Sequence, residues 1–161
     1  MAFPGLLFPL EAPGPRSVGT EWLRPTARGS GIISTDNNDE TAANFYGLRD
    51  EAGIAKHELV AWNIVPWYVG TTAAIRGVTQ TDVTEARPQL RRLLRLLTRL
   101  EVVVPMGTTA QVGWYRCLAA DPLAVVTVPS KHPSPQVVNR DRVNRSMILA
   151  ALRRVRALLD L

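Results

Sequence analysis

Four short apolar runs punctuate the chain, and a turn signal follows each. Residues 6–10 run into Glu11-Ala12-Pro13-Gly14, residues 58–65 close at Pro66, residues 102–106 stop at Gly107, and residues 123–128 meet Pro129. Runs of this length, apolar on both faces, read as buried strands. The segments between them carry helical spacing. Residues 41–52 read as a helix stopped by Gly53. A second helix, capped by Thr81 or Asp82, runs to Arg99 with Leu90, Leu93, Leu94, Leu97 and Leu100 along one face. Residues 108–118 form a third, and residues 141–160 a last amphipathic helix with Leu149, Leu152, Val155 and Leu159 inward. Residues 15–40 hold Pro, Gly, Ser, Asn and Asp without any period, so they form a long loop, a feature usually tied to function in compact domains. Residues 67–80 form another loop and residues 129–135 a turn. Strands separated by helices predict an α/β protein, a three-layer α/β/α sandwich around a mostly parallel four-stranded sheet.

Composition narrows this picture. With 161 residues, 46% of them apolar and 20% charged, the chain is ordinary globular material, which excludes wholesale disorder and fits one domain over residues 1–161. Cys117 is the single cysteine, so neither a disulfide framework nor a four-cysteine zinc or iron–sulfur site can form. No apolar run exceeds six residues, too short to span a bilayer. Pro4, Gly5 and Pro9 break up the N-terminus and no basic region precedes it, so it makes a poor signal peptide, and a cytoplasmic setting is expected. Residues 1–80 carry net charge −2 and residues 81–161 net +7, and 17 of the 19 basic residues are arginine. Arginine forks suit phosphate oxygens, so an anionic partner such as DNA fits, as does a plain solvated helix face.

Several familiar chemistries fail. Residues 14–20 mimic the spacing of a phosphate-binding loop but lack its lysine, and Pro15 and Arg16 crowd it. No Gly-x-Ser-x-Gly elbow and no post-strand G-x-G-x-x-G is present. His57, His132 and one cysteine cannot readily assemble a metal centre, so none is expected.

Polar residues at the strand ends remain. In a parallel α/β sheet, ligands bind outside the carboxyl ends of the strands. Four segments should converge there: Glu11–Gly14, Asn63, residues 107–111, and His132-Pro133-Ser134-Pro135. Asn63 offers a donor and an acceptor that can read an amide-like edge. Its plain reading is a strand-end residue bonding nearby backbone. His132, stiffened by prolines, can donate to developing negative charge; its plain reading is an exposed loop histidine.

In this order the motifs resemble those of the uracil-DNA glycosylase superfamily. Glu11-Ala12-Pro13-Gly14 is similar to that family's first active-site motif and His132-Pro133-Ser134-Pro135 to its second, with Asn63 where the family reads the base. Residues 14–20 followed by Ala43-Asn44-Phe45-Tyr46 also resemble the mismatch-specific uracil/thymine branch. The resemblance covers residues 6–158. It implies excision of uracil or a related deaminated base from DNA, by a monomer, after the nucleotide has been rotated out of the stack. On that resemblance Asn63 pairs with the base, and His132 stabilises charge on its oxygen. Ala12, Pro13, Gly14, Ser134 and Pro135 grip the backbone. Gln136 and Val137 take the minor-groove wedge position, and Arg140, Arg142 and Arg145 contact phosphates.

Three departures stand out. Ala12 replaces the water-activating aspartate of the most familiar branch. The segment Ile33-Ser34-Thr35-Asp36 is similar to that of another branch, in which Asp36 would serve instead, with Glu11 and Asp39 as the other candidate carboxylates; Ile33 stands there in place of a stacking aromatic. A turn residue is the plain reading of Asp36. The iron–sulfur cysteines of related branches are missing, so no cofactor is expected. Finally, about ten residues precede the first motif where a helix is usual, as in an N-terminally shortened member. Lys56 and Lys131 have weak claims as nucleophiles, so the expected chemistry is monofunctional hydrolysis. Trp62 and Cys117 read as core, His57 as exposed, and Trp67 and Tyr68 as either packing or pocket lining. Two functions fit: an active glycosylase, for which Asn63 and His132 speak, and a DNA-binding module of the same fold with little or no activity, for which Ala12 and Ile33 speak.

Overall fold

The central strand β1 (Leu6–Leu10) receives a parallel neighbour on each side. A computed structural model describes residues 5–15, 17, 33–71, 74 and 76–160. Among these, β2 (Leu59–Asn63) pairs with β1 in the register Leu6↔Leu59 to Leu10↔Asn63. On the other side β1 meets β3 (Val102–Val103), which in turn pairs with β4 (Val126–Thr127), giving an all-parallel order β2-β1-β3-β4. Among the described residues five helices connect and cover the strands: α1 (Glu40–Glu51), α2 (Gln80–Leu96), α3 (Thr108–Ala120), α4 (Pro135–Val138) and α5 (Arg142–Leu159). This is the α/β sandwich that the hydrophobic pattern predicts.

Pleating sorts the strand residues into two apolar layers, since successive side chains point to opposite faces. Leu6, Phe8, Val102 and Val104 pack with Phe45 and Leu48 of α1 and with Ile148, Leu152 and Val155 of α5. Leu7, Val103, Ile64 and Val65 pack with Val83, Ala86 and Leu90 of α2 and with Ala110, Trp114 and Cys117 of α3. Gly113 lets α3 press close to the sheet, because a Cβ there would lie 2.5 Å from Ile64 Cγ2.

The structure refines several boundaries. The cap of α2 is Thr79, not Thr81 or Asp82; its hydroxyl accepts from the Asp82 N–H at 3.2 Å while the Asp82 carboxylate reaches back to the Thr79 N–H at 2.7 Å, a reciprocal capping box. The fourth strand is only Val126–Thr127, with Val126 exposed at the sheet edge. A short helix, α4, and a 3-10 turn over Lys56–Glu58 occupy positions to which the sequence pattern assigns no helix. Most of the 15–40 loop, including Arg16 and residues 18–20 of the loop-like motif, lies outside the described residues. No helix among the described residues is long and apolar enough to cross a membrane.

Candidate active site

At the carboxyl ends of β1 and β2 the chain encloses a cavity of about 520 Å³. Ala12, Pro13 and Gly14 enter it from the end of β1, Ile33 from the following loop, Asn63 from the end of β2, and His132, Pro135 and Gln136 from the segment after β4. The structure therefore brings Asn63 and His132, expected to read and convert the base, together with Ile33 and with the Ala12–Gly14 turn expected to grip the backbone. A second groove of about 650 Å³ adjoins it, lined by Glu11, Gly107, Thr108, Ser134, Gln136, Val137 and Arg140, and His132 borders both. Ser134, Gln136, Val137 and Arg140 thus share one surface beside the cavity. Arg145 does not join them: its guanidinium holds Glu51 of α1 at 2.6 Å.

Asn63 is only 3% exposed, and its Nδ2 has no hydrogen-bond partner. The strand end is secured without it. The Ile64 N–H donates to the Leu10 carbonyl at 2.7 Å and the Val65 N–H to that of Glu11 at 3.0 Å. Because Ala61 and Asn63 share a face, both line the cavity, while Trp62 points into the α2–α3 layer. A buried amide nitrogen without a partner costs on the order of 1–3 kcal/mol. A site that must accept a polar guest is where such a cost is expected.

His132 is held as a neutral donor. Its Nδ1 accepts the Ser134 backbone N–H at 3.1 Å, so the ring proton resides on Nε2. Burial pushes its pKa below the ordinary histidine value, against a smaller opposing pull from the Glu11 carboxylate. Gly107 makes room for the ring. Its φ is +91°, and a Cβ would sit 3.0 Å from His132 Cβ. The same glycine donates its N–H to the Ser130 carbonyl at 2.9 Å, and Gln111 Nε2 donates to that carbonyl at 2.8 Å, fixing the strand end ahead of His132.

Asp36 is the exception among the expected site residues. It does not line the cavity but sits half exposed at the surface, where Lys56 Nζ donates to its Oδ2. That ion pair holds its carboxyl below the usual range, and the Thr35 hydroxyl donates to the other oxygen at 3.4 Å. Asp39 does line the cavity. One oxygen, Oδ1, caps α1 by accepting the Ala42 N–H at 2.8 Å. Glu11 lies in the adjoining groove instead.

Phe45, within the Ala43–Tyr46 segment but given no site role from the sequence, also borders the cavity. It packs against Phe8 with ring centroids 5.1 Å apart. The helical spacing of Ala42 and Phe45 was the available signal, since positions three apart share a face. Trp67 packs against the α2–α3 layer, and the Tyr68 hydroxyl donates to the Thr71 carbonyl at 3.3 Å; neither lines the cavity. Cys117 is buried, and burial pushes its thiol pKa up. Among the described residues no cluster of three or more His, Cys, Asp or Glu could hold a metal ion.

Comparison with known proteins bears on the family and the fold. Among curated proteins, none matches the chain in sequence. Solved structures do match its fold. One is the wild-type SMUG2 of Pedobacter heparinus, with a TM-score of 0.64 at 12% identity, covering 98% of this chain and 77% of the other. At that identity the likeness speaks for the fold alone. The family model described as the uracil DNA glycosylase superfamily matches residues 22–156, most of the chain. The chain belongs to the uracil-DNA glycosylase superfamily.

Proposed function

We propose that this protein hydrolyses the N-glycosidic bond of uracil, or of a related deaminated base, in DNA after rotating the nucleotide into the cavity. The observation that carries this reading is the unpartnered, buried Nδ2 of Asn63 in the same cavity as a histidine whose Nδ1 is already occupied. Asn63 offers its amide to the carbonyl and imino edge of uracil, and the base offers the bond that the protein leaves unmade.

As the bond from the sugar carbon to the base nitrogen breaks, its electron pair moves onto the base, and charge develops on the carbonyl oxygen. A neutral imidazole donating from Nε2 meets that charge without a proton having to be transferred first. The donor is already oriented, so little reorganisation is needed as charge appears. Water then adds to the electron-poor sugar carbon and loses a proton. Asp39, which lines the cavity and caps the first turn of α1 with one oxygen, would take that proton with the other. Ser134, Gln136, Val137 and Arg140 line the groove along which the opened strand would pass, with Pro135 on the rim of the cavity beside it. A second reading, a DNA-binding module of weak activity, is favoured by Ala12 and by the aliphatic Ile33 lining the cavity, since an aromatic platform supplies roughly 1–3 kcal/mol of stacking per base.

Release of uracil from an oligonucleotide, read by alkali cleavage of the abasic product, separates the two readings: the first requires cleavage and the second predicts little or none. Within the first, Asp39→Asn keeps a good helix cap yet lowers single-turnover excision by about 10²–10⁴-fold, the usual range for a general base. Asp36→Asn, which alters only a surface ion pair, leaves the rate within a few-fold. The opposite pattern returns the role to Asp36.

A further inference from the structure

The loop carrying His132 is tied down from more than one side. Behind it, Gly107 and Gln111 hold the Ser130 carbonyl, and Lys131 Nζ donates to Asn144 Oδ1 on α5 at 2.8 Å. From the opposite side comes a bond between residues 89 positions apart: Asn44 Nδ2, on α1, donates to the Pro133 carbonyl at 3.0 Å. Pro133 is buried. Its carbonyl shares a peptide unit with the Ser134 N–H, and that N–H is the donor to His132 Nδ1.

A peptide unit is planar, so its two ends cannot be aimed independently. Fixing the direction of the Pro133 carbonyl fixes the direction of the Ser134 N–H. Accepting a hydrogen bond at the oxygen also polarises the unit and strengthens its N–H as a donor. Neighbouring prolines stiffen the same stretch, since Pro133 and Pro135 each have a locked φ and no N–H.

We propose that Asn44 is a positioning residue for His132, acting through the Pro133–Ser134 peptide plane to hold Nδ1 as the acceptor and keep the ring proton on Nε2. The sequence of contacts is Asn44 amide, Pro133 carbonyl, Ser134 N–H and imidazole. Asn44 reaches the imidazole only through this peptide plane. It also ties α1, whose first turn carries Asp39, to the loop that carries the imidazole, so the two sides of the cavity keep a fixed spacing.

This inference rests on the glycosylase reading for its kinetic consequence but not for its structural one, and the test has an arm for each. The chain has two histidines, His57 and His132, so the imidazole nitrogens are readily assigned by NMR. In the unaltered protein the His132 nitrogens should report the Nε2–H tautomer alone. In Asn44→Ala, a change that favours the helix by propensity, they should shift toward a mixture of tautomers. Asn44→Asp, which sets a carboxylate against the Pro133 carbonyl, should perturb them at least as much. Unchanged His132 nitrogens in both variants overturn the proposal, whatever the activity. In the kinetic arm, Asn44→Ala lowers single-turnover uracil excision by about tenfold, the size expected when a single preorganised donor is loosened rather than removed. In a His132→Ala background the same change has less than a twofold effect. An equal loss in both backgrounds makes Asn44 a general structural support and also overturns the proposal. If the unaltered protein releases no uracil while the tautomer shifts as expected, the glycosylase reading fails and the positioning role stands.

Discussion

Two buried polar residues, one at the end of β2 and one at the start of α2, are treated in opposite ways. At the start of α2, Asp82 is saturated. Arg76 donates to both of its oxygens at 2.7 and 2.8 Å, and the Thr79 N–H and hydroxyl each add a bond at 2.7 Å. Those donors hold its carboxyl far below the usual range, the Arg76 bond contributing most. At the end of β2, Asn63 is just as hidden and its amide nitrogen bonds to nothing. One residue builds the fold; the other departs from what the fold would prefer. Buried polar groups are nearly always paired, and of the unpartnered ones among the described residues, Arg49 Nε, Trp62 Nε1 and Asn63 Nδ2, it is Asn63 that lines the cavity, which is what the proposed function builds on.

The contrast is broken most severely at the histidine. His132→Ala should lower single-turnover excision by about 10²–10³-fold, the scale of losing one preorganised donor, with DNA binding nearly unchanged in a fluorescence anisotropy titration. Asn63→Ala comes next. Excision should fall by roughly 10²-fold, because the base then meets no reading partner, while the melting temperature holds or rises as the unpaired donor disappears. Asn63→Asp should shift preference away from the uracil carbonyl toward the amino edge of cytosine, measurable on matched oligonucleotides. Asp82→Ala reverses the pattern: thermal melting drops and excision per folded molecule stays the same. Gly107→Ala bridges the two behaviours. Its backbone conformation disfavours any side chain by about 1–3 kcal/mol, and the new Cβ presses on His132, so stability and rate fall together.

Acid gives the smallest and most graded test. Asp82 has a lowered pKa in the folded protein, so the unfolded chain takes up protons first as pH drops. Its stabilisation is complete above the ordinary carboxylate value of about 4 and is lost below it. His132 behaves likewise at higher pH. Its lowered folded pKa means that the unfolded chain is protonated first, so stability starts to decline below about pH 6.5. Melting curves from pH 8 to 5 should show that decline in the unaltered protein and a flatter profile in His132→Ala.

The layered core was legible because it rests on period-two and period-3.6 patterns: Leu6 and Phe8 against Leu7, Ala42 against Phe45 and Leu48. The carboxyl-end convergence of Glu11–Gly14, Asn63 and His132 was legible too, since topology alone places it. Which carboxylate lines the cavity was not. Choosing between Asp36 and Asp39 depends on which way a short loop turns before α1, and Lys56, twenty positions downstream of Asp36, captures it. The cap of α2 was not legible for a similar reason: Thr79, Thr81 and Asp82 all suit that role, and only the reciprocal bonds decide. The tie from Asn44 to Pro133 joins residues 89 positions apart and leaves no local trace.

The alternation along β2 has a consequence for folding errors. Ala61 and Asn63 face the cavity, while Val60 and Trp62 face the α2–α3 layer. A slip of β2 by one residue against β1 would exchange the two sets, pushing Trp62 into the opening and forcing the Asn63 amide into apolar surroundings. A misregistered chain would then be blocked where the correctly paired one is open. Any measured turnover is in this sense a report that the sheet has been assembled in the right frame, and a population that refolds with lower specific activity but native helix content is the signature to look for.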